Sequence, residues 1–399
     1  MVANSIGIDT IKNVSHTACF GCSTCTISCP VSCISMEEDE EGFKYPSIDD
    51  SVCIGCGQCI KFCPAVQKNK LNPIDEAIVT ANPDKSRELY SSSGGMFPKI
   101  AELVLKQGGY VCGAKMMCDL SLRHIVTDQM SDVLEMQGSR YMQSDMGTCF
   151  REIKQLVESK KKVMFIGTPC QVAGLKQYIN GHENELICVD LICHGVPSQD
   201  FFKKYIVQTY STRWGKISNV KFREKTKYEK DVYRLVLSTA RGTKRIYSTE
   251  DAYYSAFEKG QSLRESCYVC PYARPERIGD ITLGDCANKE EHMSFGFSQV
   301  LSSVFINTYV GKMIWQQLKQ ELTFEKANLE KEILLNKQLH MPVKRPEIRN
   351  QIYKDFMNMD RNMFSHKYKV NITYKLRLER FLKRLLPLSV KAKLRGYKK

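Results

Sequence analysis

The 399-residue chain holds only two tryptophans and seven histidines, and it has no low-complexity segment. It also lacks any run of roughly 18 uninterrupted apolar residues, the length a membrane-crossing helix needs. A helical span is therefore excluded. Met1 to Asp9 carry neither a basic stretch nor a long apolar core, so no secretory leader is expected. With no sign of export, a disulfide framework is not expected either. No Gly-x-Gly-x-x-Gly fingerprint occurs, which removes sequence support for direct use of a nicotinamide. Acids are scarce at one end: from Ser365 to Lys399 a single Glu379 faces twelve Lys or Arg. The formal net charge of +14 thus belongs to a tail and not to a groove through the body. Nucleic acid is excluded as a partner, because a basic surface on the body and a recognition motif are both missing.

What the chain has in excess is cysteine, eighteen in all. Without a leader, thiols in that number point to a reducing cytoplasm and to metal ligation. Eight of them form two copies of one rhythm. Cys19-x₂-Cys22-x₂-Cys25-x₃-Cys29-Pro30 is followed by Cys53-x₂-Cys56-x₂-Cys59-x₃-Cys63-Pro64. Each copy matches the bacterial ferredoxin spacing for a 4Fe-4S cluster, in which the fourth cysteine ligates the other cluster. The expected ligand sets are Cys19, Cys22, Cys25 and Cys63 for one cluster, and Cys53, Cys56, Cys59 and Cys29 for the second. Zinc sites use Cys-x₂-Cys pairs and have no reason to repeat a triple followed by Cys-Pro. Cys33 stands outside both sets and reads as a small buried residue.

The organisation follows from where the pattern changes. Residues 1–72 form an α+β ferredoxin-like module. Its two cysteine runs are separated by a hairpin with Gly42 at the turn and five consecutive acids, Glu37 to Glu41, in a solvated loop. Residues 75–342 alternate strands and helices, which predicts an α/β domain with a mixed sheet. Buried strands are expected at Lys161–Gly167, Leu186–Cys193, Ile281–Gly284 and Val300–Asn307, and neighbouring antiparallel strands at Val220–Arg223, Tyr233–Ser238 and Lys244–Ser248. Helices are expected at Phe97–Lys106, Ser198–Tyr210 and Ala252–Lys259. Residues 343–399 read as a helical, basic C-terminal tail, in which Arg345–Met363 is polar and helical. Tyr374–Leu386 is an amphipathic basic helix ended by Pro387.

Five stretches of the second domain carry a family resemblance. They are Ser91-Ser-Ser-Gly-Gly-Met96, Gln137-Gly-Ser-Arg-Tyr-Met-Gln-Ser144, Gly167-Thr-Pro-Cys-Gln-Val-Ala-Gly174, Asp190-Leu-Ile-Cys-His-Gly-Val-Pro-Ser198, and the segment from Cys267-Tyr-Val-Cys270-Pro to Gly284-Asp285. In this order, over roughly residues 18–340, the chain resembles the β subunit of coenzyme F-420 hydrogenase and dehydrogenase. The resemblance implies a flavoprotein with iron–sulfur clusters that passes electrons between a deazaflavin or other organic substrate and one-electron carriers. It does not fix the substrate.

The same residues can be read by their chemistry. Cys170 and Cys193 end predicted strands, where α/β sheets place their sites, and Cys267 and Cys270 form a Cys-x₂-Cys before proline. Convergence of the four on a third 4Fe-4S cluster is the first choice; zinc, or buried thiols without metal, are the alternatives. Cys286 is a substitute ligand to consider. Clusters move electrons singly and most organic substrates take two, so a flavin, taken as FAD, is expected between them. Ser92, Ser93, Gly94 and Gly95 before a helix offer hydroxyls and bare backbone for its phosphates. Arg140 and Ser144 are candidate pyrophosphate or substrate contacts, and Gly167, Thr168 and Gln171 flank Cys170. His194 is the candidate proton donor, weighed against a loop-holding role. Arg274, Arg277, Asp280 and Asp285 read as an anion site or as ion pairs, the aspartates favouring the second.

The expected function is electron transfer between a ferredoxin-like donor or acceptor and an organic substrate or deazaflavin. The alternative is an electron-transfer subunit of a larger hydrogenase or dehydrogenase complex, without a substrate site of its own. The expected location is the cytoplasm, with the basic tail as a candidate for peripheral contact with the inner face of the membrane.

Overall fold

The computed structural model describes residues 10–179, 181, 184–225, 233–295 and 300–370, together with 373, 374 and 378. Strands β1 (Ile34–Glu38) and β2 (Lys44–Ile48) form the expected antiparallel hairpin, with Ile34 opposite Ile48 and Gly42 in the turn at φ +77°. The two cysteine runs flank this hairpin. Their loops share one conformation. Gly21 and Gly55 precede the second cysteine of each run at φ +64° and +66°, and Ser23 and Gly57 follow it at +61° and +68°. Glycine takes that left-handed backbone freely, whereas Ser23 adopts it at a cost.

An eight-stranded mixed sheet organises the second region. It contains β3 (Glu76–Ala81), β4 (Tyr110–Met116), β5 (Leu122–Thr127), β6 (Val163–Gly167) and β7 (Leu186–Leu191). After the smaller sheet described next come β11 (Ile281–Asp285), β12 (Ser302–Ile306) and β13 (Thr323–Lys326). The order is β13-β3-β12-β11-β7-β6-β4-β5. The four central strands β11, β7, β6 and β4 are parallel and the outer ones antiparallel. Parallel strands buried on both faces read as the near-continuous apolar runs seen at β6 and β7. The Met96–Lys106 and Tyr309–Leu318 helices cover one face, and the Cys149–Glu158 and Pro169–Ile179 helices the other.

Strands β8 (Ile217–Arg223), β9 (Tyr233–Thr239) and β10 (Gly242–Tyr247) make a separate antiparallel sheet, as expected. It packs in an aromatic-rich core with the Gln199–Ile206 and Ala252–Glu258 helices. The first of these continues as a π-helical turn at Val207–Ser211 and a last helical turn at Thr212–Trp214.

The stretch read as polar and helical holds the helix Arg349–Asn358 and the start of a second, Arg361–Tyr368. Asp360 caps the second, its side chain accepting from Asn362 N and Met363 N. They bury Ile352, Tyr353, Phe356, Phe364 and Tyr368 in the same aromatic core, so this stretch is part of the body. The amphipathic helix expected at Tyr374–Leu386 lies outside the described residues except for Tyr374 and Leu378, both exposed.

Candidate functional site

The first expected ligand set is gathered in one place: Cys19, Cys22, Cys25 and Cys63 line a single small void, with Ile11, Phe20 and Pro64 among its walls. All four are buried. Burial first, and then the neighbouring thiols, push Cys22 up to about 11 and Cys25 in the same direction; burial likewise pushes Cys63 up to about 11. Thiols in such a place become thiolates only with a metal to hold the charge. Among the described residues no three His, Cys, Asp or Glu close on a point as a lone ion requires. The sulfurs surround a space instead, as ligands at the corners of a cubane do.

In the second set Cys29 and Cys59 are buried, Cys53 is half-buried and Cys56 reaches the surface. Ile54 and Val52 beside it are exposed. Cys33 is more than remote filling. Its sulfur lies 3.4 Å from that of Cys29, and it also contacts Cys53.

The second-domain site forms at the C-terminal edge of the parallel strands, where open α/β sheets place ligands. A cavity of about 690 Å³ opens there, lined by residues from the ends of β6, β7 and β11. Cys170, Cys193, Cys267 and Cys270 all line it. Cys170 heads the Pro169–Ile179 helix after β6, and Cys193 follows β7. The other two lie on and just after the 3₁₀ turn at Glu265–Val269. Burial, followed by the other sulfurs, pushes Cys170 up to about 11 and Cys193 up to about 12. Cys267 is raised for the same reasons, with all three partners contributing. The sequence-expected quartet is thus brought together. Cys286 is not: it is buried elsewhere against Glu332, 3.6 Å from Oε1, so it is no substitute ligand.

The quartet backs onto the first set. Gly174, on the helix that Cys170 heads, has no room for a side chain. A Cβ there would stand 2.6 Å from Thr24 Oγ1 and 3.1 Å from Cys22 Sγ. Cys170 adds to the cost of ionising Cys22, and Tyr272 sits beside both.

Ser91, Ser92, Ser93 and Gly95 also line the cavity, but the serine hydroxyls are already engaged. Ser92 Oγ accepts from Ser139 N and Ser139 Oγ; Ser93 Oγ donates to the Leu301 carbonyl at 2.8 Å. Gly94 is pressed against the β3 backbone, where a Cβ would lie 2.4 Å from the Thr80 carbonyl. What this loop offers a ligand is the start of the Met96–Lys106 helix, which has Gly95 at φ +83° as its cap and no side-chain capping bond. Arg140 lines the cavity with Nε buried and unpartnered, and burial lowers its pKa to about 10. Gln171 bridges Ser144 Oγ (2.9 Å) to Thr168 N (3.0 Å). Gly167 leaves room for it, since a Cβ there would be 2.9 Å from Gln171 Oε1.

His194 also lines the cavity, but both ring nitrogens are engaged. Nε2 lies 3.1 Å from the Phe257 carbonyl and Nδ1 3.1 Å from Gln338 Nε2. A carbonyl only accepts, so Nε2 carries the hydrogen. Burial lowers its pKa, and the hydrogen bonding favours the loop-holding role. The charged cluster also resolves into ion pairs. Buried Arg277 meets Asp190 at 3.1 Å, Arg274 pairs with Glu276 at the surface, and Asp280 accepts from Cys188 N. Asp285 alone of the four faces the cavity, paired with Arg223 at 2.6 Å. Sequence reasoning missed several residues of the cavity wall that lie in no motif, among them His124, Arg223 and Arg264.

Residues 18–66 match a 4Fe-4S dicluster domain, and a second dicluster family matches residues 45–88. Residues 160–332 match the C terminus of the coenzyme F-420 hydrogenase/dehydrogenase beta subunit. The chain joins an iron–sulfur dicluster domain to the C-terminal domain of the coenzyme F-420 hydrogenase/dehydrogenase beta family. That second domain spans Gly167, Thr168, Cys170, Gln171, Cys193, His194, Cys267 and Cys270, and the match does not reach Ser91–Gly95, Arg140 or Ser144. No curated protein matches. Among solved structures the chain is similar to a chain of the F-420-reducing nickel–iron hydrogenase complex from Methanosarcina barkeri. Identity is 19% and the TM-score 0.46, over 68% of this chain and 93% of that one. The dicluster domain makes the protein an iron–sulfur electron carrier. No helix among the described residues is long and apolar enough to cross a membrane.

Proposed function

We propose that the protein is an iron–sulfur flavoprotein oxidoreductase. In this proposal a one-electron, ferredoxin-like carrier meets the surface edge at Cys56. A two-electron organic compound, a deazaflavin included, meets the large cavity. One observation carries the proposal: a single cavity has the Cys170, Cys193, Cys267 and Cys270 quartet on one wall and the uncapped helix start with Arg140 on another, while Cys22 lies behind Cys170.

The four thiols would hold a third 4Fe-4S cluster. The helix start and Arg140 would hold the phosphates of FAD, since backbone N–H groups and a guanidinium both suit an anion. A flavin bound there supplies the exchange between single electrons and pairs. Ser144, Thr168 and Gln171 form a rigid polar floor beside Cys170, and His194 fixes the loop that carries Cys193.

Leu334, Leu335 and Met341, all more than half exposed, favour a second reading. They neighbour Asn336, Gln338 and Pro342 at the cavity wall, so they offer an apolar seat for a partner subunit. In that case the chain would feed a larger complex and have no substrate of its own.

Anaerobic purification followed by iron, sulfide and flavin analysis tests the proposal. About twelve iron atoms, three cubanes' worth, and one flavin per chain are expected. Failure to bind any flavin on reconstitution would leave the carrier-subunit reading. About eight iron atoms, two cubanes' worth, would remove the third cluster.

A further inference from the structure

Arg264 is only 1% exposed, and it stands three residues before Cys267. It reaches out of the second domain into the N-terminal module. Its Nε donates to the Cys19 carbonyl at 2.8 Å and its Nη2 to the Lys44 carbonyl at 2.9 Å. Nη1 lies 3.2 Å from Gln143 Oε1, and Nη2 lies 3.6 Å from the Cys19 sulfur. The guanidinium is stacked 4.1 Å from the centroid of the Tyr45 ring. None of these oxygens is a carboxylate. A guanidinium stripped of water needs a counter-charge, and an amide and two carbonyls supply only dipoles. The remaining partner is the Cys19 sulfur, which becomes anionic when it ligates iron.

The backbone is shaped to allow this approach. A Cβ on Gly21 would lie 2.9 Å from Arg264 Cζ and 2.7 Å from Gln143 Nε2. Any side chain at position 21 would displace the guanidinium from the sulfur.

We propose that Arg264 is the counter-charge of the cluster held by Cys19, Cys22, Cys25 and Cys63, and that it raises the reduction potential of that cluster. Net charge and hydrogen bonds to the sulfurs set such potentials. The cluster gains one electron and one negative charge on reduction, with no bond made or broken, so a fixed cation against its ligand stabilises the reduced form. The charge comes from the second domain and the ligand from the first. The potential is therefore a property of the docked chain: a module without its partner domain would be harder to reduce. The inference rests on the N-terminal clusters and is independent of flavin.

The test is a redox titration followed by electron paramagnetic resonance on anaerobically reconstituted full-length protein, with iron and flavin measured alongside. In Arg264→Gln the midpoint of one N-terminal cluster is expected to move to a more negative potential and that of the other N-terminal cluster to stay in place, while a cluster on the cavity that Arg264 also lines moves less. Arg264→Lys keeps the charge but cannot fork between Cys19 and Lys44, so a smaller move in the same direction is expected. Midpoints in Arg264→Gln that coincide with those of the wild type would overturn the proposal, as would an equal shift in both variants. If Arg264→Gln does not retain iron, the lysine variant decides, and an unchanged midpoint there overturns it. Loss of iron from both variants would make Arg264 a strut between domains and also overturn it. Absence of flavin alongside the expected shift would count against the oxidoreductase proposal alone.

Discussion

Arg349 and Glu41 form a two-pronged ion pair, Nη1 to Oε1 at 2.7 Å and Nη2 to Oε2 at 2.6 Å. It ties the Arg349–Asn358 helix to the turn of the N-terminal hairpin, 308 residues away. Arg349 is fully buried and also donates to the Leu263 carbonyl. The acidic run Glu37 to Glu41 is therefore not wholly a solvated loop, because its last member closes the molecule.

Removing the carboxylate leaves the buried guanidinium only the more distant Glu265, 3.6 Å from Nε. Glu41→Gln is expected to cost on the order of 3 kcal/mol. The urea-unfolding midpoint, followed by circular dichroism under anaerobic conditions, should fall accordingly. An unchanged midpoint would mean that water replaces the carboxylate.

Cys29 and Cys33 should behave differently despite their contact. Cys29→Ser is expected to lose about four iron atoms from the cluster completed by Cys53, Cys56 and Cys59. Cys33→Ala should keep its iron, because Cys33 packs against that ligand set without being needed by it. Iron analysis of both full-length variants checks the pair.

In the cavity, Cys267→Ser should lose the iron of the third site and leave the N-terminal clusters intact. Unchanged iron would remove Cys267 from the ligands. Arg140→Gln should weaken flavin binding about tenfold to a hundredfold, the size of a hydrogen bond to a charged group, without altering the iron count. Fluorescence titration of the flavin-stripped protein measures it.

His124 gives the fold a pH dependence. Burial lowers its pKa to about 4, and its Nε2 lies 3.1 Å from the Ile166 carbonyl. The unfolded chain takes up this proton near pH 6.5, and the folded one only near 4. Stability is therefore full above about pH 6.5 and is lost as pH falls toward 4, by about 3 kcal/mol at the limit. In His124→Gln that part of the slope should vanish, which urea titrations at pH 7 and 4.5 would show.

The basic tail is expected to bind anionic membranes peripherally, each Lys or Arg near the surface contributing roughly 1 kcal/mol. Liposome co-sedimentation should rise with anionic lipid content and be lost on deletion of residues 371–399. Phe364 and Tyr368 are core residues and must stay. Binding independent of anionic lipid, or unaffected by the deletion, would rule the contact out.

Of the four central parallel strands all but β4, whose run is broken by Gly113 and Lys115, were legible because burial on both faces writes them as apolar runs, as in Val163–Gly167 and Leu186–Leu191. β5 was not, because Arg123 and His124 interrupt it. Arg123 is exposed, while His124 is accepted inside only as a hydrogen-bonded ring. The Pro169–Ile179 helix was not among the expected helices, although proline at the first helical position is itself a start signal. The N-terminal thiols were legible because ferredoxin ligand spacing is local. Arg264 was not: its partners Cys19 and Lys44 lie more than two hundred residues away, and a lone arginine carries no pattern. That Ser139 and Leu301 already engage the hydroxyls of Ser92 and Ser93 was not legible, because those partners lie far along the chain.

Gly174 has a consequence for speed. Electron tunnelling decays exponentially with the gap to be crossed, so each added fraction of an ångström between donor and acceptor slows transfer by a multiplicative factor. A methyl group at position 174 would meet Thr24 and the Cys22 sulfur, and the helix headed by Cys170 could relieve the clash only by backing away. One absent carbon atom thus governs how closely the two thiol sets approach, and, along the electron path proposed above, the pace at which charge would cross from one half of the chain to the other.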